Sequence, residues 1–297
     1  MTRRGWALFV AMCVIWGIPY LLIKVAVGEV TPATLVFLRT AVGATLLLPL
    51  AAARGSLAPL IPYWRMVLLY TVVEVALPWL LLADAERRLS SSLTGLLIAA
   101  VPLIGVLLMR ITGGERFEGR RVAGLVVGII GVAALLRLDV SGSDLRAVGE
   151  VGLVALGYAI GPMIIARRLS SLPSVGVVAA SVALTALVYA PFGIAQLPNQ
   201  LPSLQVLAAV ATLGVICTAL AFLLFFALIG EVGPVRATII TYFNPAVALA
   251  LGVLLLREPF TAGAVIGFGL ILLGSFLATR RGRPAREPSA AAVRAVG

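Results

Sequence analysis

The sequence predicts an all-α polytopic membrane protein in which ten transmembrane helices form two inverted five-helix repeats. Composition is the first observation behind this, since 61% of the 297 residues are hydrophobic and only 12% are charged, with a mean hydropathy of +1.12. The other two are a series of long apolar runs and the recurrence of unusual residues at one constant offset. A water-soluble fold of this size has too little interior to bury so much apolar surface. A soluble enzyme, a secreted disulfide scaffold and a disordered chain are therefore excluded.

The apolar runs give the predicted membrane spans in order. A helix needs about 20 apolar residues to cross about 30 Å of hydrocarbon. Runs of this kind, bounded by polar residues, Pro or Gly, lie at 6–27, 32–52, 66–83, 90–110, 119–137, 149–166, 174–196, 205–229, 233–256 and 260–279. The segment that follows, 280–297, is rich in Arg, Ala and Pro and is predicted to be a disordered cytoplasmic tail.

The basic residues predict how these spans are oriented. With the N-terminus in the cytoplasm, 16 of the 23 basic residues fall on the cytoplasmic side and 5 on the outer side, while Lys24 and Arg39 lie within spans. The positive-inside rule then places both termini in the cytoplasm and the chain in the cytoplasmic (plasma) membrane. The net charge of +11 is explained by this topology, so the expected partners are the lipid bilayer and a small-molecule substrate, with no nucleic acid. The protein is expected to be a monomer or a homodimer.

An internal repeat relates the two halves of the chain. A shift of 143 residues aligns Pro19 with Pro162, Lys24 with Arg167, Pro102 with Pro245, Glu115 with Glu258, Phe117 with Phe260, Gly124 with Gly267 and Gly131 with Gly274. Each half, 6–137 and 149–279, holds an odd number of spans, so the second half enters the membrane upside down relative to the first. Inverted repeats provide two related packings, each open to one side, which is the physical basis of alternating access.

Short motifs in both halves resemble a known family. The segments concerned are Phe37-Leu38-Arg39, Pro102, Gly114-Glu115-Arg116-Phe117, and their echoes at Pro245, Glu258-Pro259-Phe260 and Gly267. Together they resemble the EamA family of the drug/metabolite transporter superfamily over about residues 6–279. The resemblance implies ten spans, a central cavity between the halves and export of small metabolites. The second half departs from the pattern, because Arg257-Glu258 stands where the first half has Gly114-Glu115.

The chain lacks residues that several kinds of enzyme chemistry require. The chain has no His, which excludes Ser-His-Asp triads and His metal sites. Its single Lys, Lys24, lies in an apolar run, so there is no P-loop nucleotide site. Cys13 and Cys217 also lie in apolar runs and are predicted to be small core residues. We therefore predict no catalytic residues, no metal and no cofactor.

Interruptions at matching positions of the two halves indicate where a substrate would bind. A proline in a helix leaves a carbonyl without its hydrogen bond, and in lipid such a carbonyl must face protein or water. The four aligned prolines are therefore expected to face the interior. The candidate substrate-binding residues near them are Trp16, Tyr20, Tyr158, Tyr242 and Asn244. They are expected to line a cavity between the first, fourth, sixth and ninth spans, or alternatively to pack in the core or the interfacial belt.

Charged residues at membrane depth add further candidates. Glu74 lies near the middle of its span and has two interpretations, a permanent partner for Arg39 or a group that gains and loses a proton during transport. Arg39 is a candidate for substrate binding or for a fold-stabilising pair. Trp79, near Glu74, is predicted to stack on a cargo or to pack in the core. Lys24 is near enough to its span end to reach the interface.

These residues favour a secondary transporter that exports a small amphipathic or zwitterionic, amino-acid-like metabolite. Proton coupling through Glu74 is a further hypothesis. One alternative is an intramembrane enzyme, although the three Asp residues Asp84, Asp139 and Asp144 all lie in predicted loops and give no pair of carboxylates at the midplane. The other alternative is a membrane sensor or scaffold that does not transport.

Overall fold

The computed structural model describes residues 1–112, 119–139 and 144–279. The motif at 114–117 and the predicted tail 280–297 lie outside the described residues. Every regular element in the described ranges is helical, and ten of these helices are long and apolar enough to span a membrane, as the sequence predicts. They are α1 Arg3–Ala26, α2 Pro32–Ala53, α3 Ala58–Ala85, α4 Ser91–Ile111, α5 Gly119–Leu136, α6 Leu145–Leu169, α7 Ser174–Ala195, α8 Leu204–Val232, α9 Thr238–Leu255 and α10 Ala262–Thr279.

Hydroxyl side chains set the first residue of several spans. Thr31 precedes α2 and accepts from the Thr34 N–H, and Pro32 at the next position has no N–H to leave unpaired. Ser90 and Ser203 cap α4 and α8 in the same way.

The two ends of the bundle are named by the chain segments they carry. The end that carries the start of α1 is here called the terminal end. The other, called the distal end, carries the turns joining α1 to α2, α3 to α4, α7 to α8 and α9 to α10.

Three of the four aligned prolines open a new helical segment inside a span. The break before Pro19 divides α1 after Ile15, and equivalent breaks precede Pro102 in α4 and Pro245 in α9. Pro19 and Pro245 are buried and Pro102 is half-buried, as expected. Pro162 is exposed, which corrects the expectation that all four face inward. The reason is that the neighbouring Gly161 forms the face of α6 that packs on α3.

Two π-helical turns lie at equivalent positions of the two halves. They cover Thr71–Ala76 in α3 and Val215–Leu220 in α8, which begin 144 residues apart. A π-helical turn widens the helix and frees backbone groups, and such turns occur frequently at functional sites. Glu74 lies on the first turn, and its counterpart in the repeat, Cys217, lies on the second.

The spans of one half pack against those of the other in a symmetric pattern. Helix α1 packs against α8, and α3 packs against α6, so each of these two pairs is the counterpart of the other in the repeat. Each remaining pair joins a helix to its own counterpart: α2 with α7, α4 with α9 and α5 with α10. Glycines bring α5 and α10 together, since a Cβ atom added at Gly124, Gly131 or Gly274 would overlap backbone atoms of the facing helix. These pairings agree with two halves related by a two-fold axis. The division into repeats at 6–137 and 149–279 stays a prediction.

Candidate functional site

Arg39 is a buried cation near the middle of the bundle. Its side chain leaves α2 and is only 7% exposed. The guanidinium carbon lies 3.7 Å from the centroid of the Trp79 ring on α3, and Nε donates to Thr218 Oγ1 at 3.0 Å. Thr218 is presented by the π-helical turn of α8, where its own hydroxyl donates to Leu213 O at 2.8 Å. Three spans from both halves therefore meet at one charged group.

Glu74 does not neutralise this cation. Among the described residues Arg39 forms no ion pair with Glu74 or with any other carboxylate, so the permanent pair considered from the sequence is not formed. Glu74 instead faces α6, where a Cβ atom at Gly161 would overlap Glu74 Oε2. That oxygen is buried and has no hydrogen-bond partner. Arg39 and Glu74 are therefore two buried charged-type side chains that do not pair with each other.

Two tyrosines complete the central group. Tyr20 on α1 is 7% exposed and belongs to the largest buried apolar cluster. Tyr158 on α6 packs against that cluster and also against Trp79. Contacts through Tyr158 and Trp79 thus bring Tyr20, Arg39, Trp79 and Tyr158 together, and Glu74 packs on the same helix as Tyr158, at Gly161.

Trp16 and Asn244 form a second group, nearer the terminal end. Trp16 lies at the break in α1 and packs on Phe225 of α8 in a tilted arrangement, with a centroid separation of 4.7 Å. The Asn244 amide nitrogen, assigned to the side that faces two carbonyl oxygens, donates to Ile240 at 3.0 Å and to Cys13 at 3.1 Å. Asn244 therefore satisfies carbonyls at the breaks of α9 and α1, a structural contact that spacing alone does not reveal.

Tyr242 lies apart from both groups. Its hydroxyl is 3.2 Å from Thr279 Oγ1, at the terminal end of α10. The eight predicted site residues are therefore distributed over a central group, a group at the paired helix breaks and one residue near the end of the bundle. Their role in binding a substrate stays a prediction.

The distal end brings Lys24 beside a buried acid, Glu86, that the sequence analysis does not single out. Lys24 Nζ donates to the backbone oxygens of Glu86 at 2.6 Å and Leu89 at 2.8 Å, so the single lysine caps the end of α3. Glu86 is completely buried. The predicted third span ends at residue 83, so the span prediction gives no reason to place Glu86 in the interior. A lone lysine in the neighbouring span was the available signal for a buried acid there.

Further polar contacts join the helices at the same end. Glu258, in the turn before α10, accepts from the N–H groups of Ser91 at 2.8 Å and Ser92 at 2.9 Å and from both hydroxyls. Arg88 and Arg146 bind Glu150 at 2.7 Å and 2.9 Å, which links the α3–α4 turn to α6. A cleft of about 320 Å³ opens beside this network. It is lined by Pro32, Ala33, Leu80, Leu81, Asp84, Arg146, Glu150 and Gln196, and none of the eight predicted site residues lies on it.

Comparison with known proteins places the chain in a family. The model of the EamA-like transporter family matches twice, over residues 3–137 and 151–280. An "Uncharacterized inner membrane transporter YedA" of Escherichia coli strain K12 is 27% identical over 283 residues, which cover 92% of this chain and 89% of that protein. A "Probable amino-acid metabolite efflux pump" of the same strain is 22% identical, covering 93% of this chain and 95% of the relative.

Two further matches extend over nearly the whole chain. An "Uncharacterized transporter" of Archaeoglobus fulgidus is 23% identical and covers 94% of this chain and 99% of its own length. A solved crystal structure that is 21% identical superposes with a TM-score of 0.66 over 94% of this chain and 98% of that chain, which shows a common fold. The double match of the family model and the ten apolar helices show that this multi-pass membrane protein belongs to the EamA-like transporter family.

Proposed function

We propose that this protein is a secondary transporter that exports a small amphipathic or zwitterionic, amino-acid-like metabolite across the cytoplasmic membrane by alternating access. Arg39 is the observation that carries the proposal. A guanidinium inside a membrane span without a carboxylate partner is costly, and such groups mark substrate sites. The carboxylate of a zwitterionic substrate would bind the guanidinium, and the aromatic rings beside it would contact the apolar part.

Glu74 supplies the opposite charge in this proposal. Its unpartnered Oε2 would accept from the substrate ammonium or bind a proton, so coupling to a proton gradient is the finer part of the hypothesis. A relative named as a probable amino-acid metabolite efflux pump agrees with a substrate of this class. The symmetric pairing of spans supports two alternative packings of the same helices.

Transport in proteoliposomes tests the substrate site. A thermal-shift screen against a panel of amino acids and related metabolites first selects ligands, because a ligand that binds only the folded state raises its stability. Counterflow of the selected ligand should be lost in Arg39→Gln and kept in Arg65→Gln, a control on an exposed arginine. Equal counterflow in both variants would remove Arg39 from the binding site.

Two further measurements address coupling and topology. Proton-driven accumulation should be lost in Glu74→Gln while exchange persists, and accumulation that continues would exclude Glu74 as the coupling group. Reporter fusions at residues 140 and 290 should report opposite sides of the membrane, with residue 290 in the cytoplasm. Fusions that report the same side would contradict the inverted repeat.

A further inference from the structure

The turn between α3 and α4 buries a carboxyl group that no protein group neutralises. Glu86 follows the last residue of α3 and is 0% exposed, and neither Oε1 nor Oε2 has a hydrogen-bond partner. The Lys24 ammonium lies close by, yet it donates to the backbone oxygens of Glu86 and Leu89. Within the described part of the chain, the two side chains form no ion pair.

An ionised carboxylate in such a position is strongly disfavoured. Burial without a partner removes the water that stabilises the charge, and a buried acid then binds a proton instead. Glu86 lies just beyond the span Ala58–Ala85, and burial raises the pKa of its carboxyl well above the usual range, opposed by the positive charge of Lys24. The neutral acid is therefore the form that fits the closed distal end.

The charged and titratable groups around Glu86 come from four parts of the fold. They are Lys24 and Tyr20 of α1, Arg39 of α2, Tyr158 of α6, and Glu258 before α10. The two cations favour ionisation of Glu86 and Glu258 opposes it. None of them bonds to the carboxyl, so Glu86 faces a mixed electrostatic field in which contact with water decides its charge.

The place of Glu86 in the bundle gives this charge a function. It lies 12 residues beyond Glu74 along the chain, about 18 Å at helical rise, at the end that Lys24, Glu258 and Glu150 hold closed. If the distal end separates during alternating access, water reaches Glu86 before it reaches Glu74. The two acids therefore occupy different depths on one span.

We propose that Glu86 is a second proton-binding site of the transport cycle, protonated while the distal end is closed and ionised when that end opens. On opening, the carboxyl O–H bond breaks and the proton passes to water, leaving a carboxylate that water and the nearby Lys24 ammonium stabilise. The distal end closes again when a proton returns to the carboxylate. The inference rests on the proposed alternating access, but its tests need neither a known substrate nor transport.

Infrared spectroscopy of the purified full-length protein in nanodiscs tests the protonation directly. At neutral pH the wild type should show the carbonyl band of a protonated, buried carboxylic acid. That band should lose intensity in Glu86→Gln, and the same Glu86 contribution should remain in Glu74→Gln. An unchanged carbonyl band in a folded Glu86→Gln variant would overturn the proposal.

Cysteine labelling tests the link to opening. Ala83→Cys places a thiol at a position that is 1% exposed on α3, and Asn199→Cys places a reference thiol at an exposed position of the distal α7–α8 turn, each in a background without Cys13 and Cys217. The labelling rate at 83 divided by that at 199 corrects for thiol ionisation. This ratio should rise with pH when Glu86 is present and stay low and flat in Glu86→Gln. The same rise in Glu86→Gln would exclude a role in closure.

Lys24→Gln tests the ionisation of Glu86 in a second way, which is needed if Glu86→Gln does not fold. Lys24→Gln retains a donor for the two backbone oxygens and removes the positive charge that favours ionised Glu86. The rise of the labelling ratio should then shift to higher pH. No shift, or a shift to lower pH, would contradict the assignment to Glu86. Failure of counterflow in these variants would bear on the proposed function instead.

Discussion

The guanidinium of Arg39 lies against the face of the Trp79 ring, 3.7 Å from its centroid, and both side chains are 7% exposed. A desolvated cation–π contact contributes about 2 kcal/mol or more, whereas an exposed one contributes about 0.5–1 kcal/mol. The ring therefore compensates part of the cost of burying a charge in α2. It also covers one face of the guanidinium, while Nε on its edge bonds to Thr218.

We expect Trp79→Leu to lower stability by about 2–4 kcal/mol, because the variant loses both the cation–π contact and buried aromatic area. Thermal unfolding of the detergent-solubilised protein measures this as a lower midpoint. Trp64→Leu is the matched control, since Trp64 is 58% exposed and its arginine contact, with Arg65, is 5.4 Å long. Equal losses of stability in the two variants would show that the buried Arg39–Trp79 pair contributes no more than the exposed Arg65–Trp64 pair.

The hydroxyl of Thr218 accepts a hydrogen bond from Arg39 Nε. Thr218→Val keeps the shape of the side chain but leaves the buried Nε without its acceptor, so we expect a loss of about 1–3 kcal/mol. Thr185→Val is the control, because Thr185 is equally buried and donates only to Ser181 O in its own helix. Chemical unfolding of both variants gives the comparison. A control that loses as much as Thr218→Val would contradict a specific role for the Arg39 contact.

Local patterns in the sequence predicted the spans well and the contacts between them poorly. Hydropathy gave ten spans, but the predicted third span, 66–83, is shorter than α3, because Pro59 and Pro62 form a 3₁₀ turn that begins the helix. The partners Arg39 and Thr218 are 179 residues apart, and no periodicity indicates such a contact. The burial of Glu86 is not predicted for the same reason, since its contact with Lys24 of α1 joins residues 62 positions apart.

Glycines at the crossing of α5 and α10 should be far less replaceable than lipid-facing ones. A Cβ atom at Gly274 would overlap backbone atoms of Gly128 and Gly124, so Gly274→Ala must push the two helices apart. Gly269 has open space around it, and Gly269→Ala should be neutral or stabilising by up to about 1 kcal/mol from helix propensity. Folded yield and melting midpoint measure both. A stable Gly274→Ala variant would disprove the close crossing.

The carboxylate of Glu258 should act as the cap of α4. Glu258→Ala removes the acceptor for two N–H groups at the start of that helix, and we expect a loss of about 1–2 kcal/mol. Glu258→Gln keeps one acceptor oxygen and should lose less. Amide hydrogen exchange at Ser91 and Ser92 reports the cap directly. Exchange that is equally slow in wild type and Glu258→Ala would show that the N–H groups have another partner.

Acid should release a second contact at the distal end, between the α1–α2 turn and the start of α8. Glu29 Oε2 accepts from the Ser203 N–H at 2.6 Å, and this bonding lowers the pKa of the Glu29 carboxyl below its ordinary value of 4.5. A lowered folded-state pKa means that the contact is complete above pH 4.5 and is lost as the pH falls through the lower, folded value. Exchange of the Ser203 amide should therefore be slower in wild type than in Glu29→Gln at neutral pH, and the difference should vanish only in acid. A difference that disappears as the pH rises above 7 would reverse the sign and disprove the assignment.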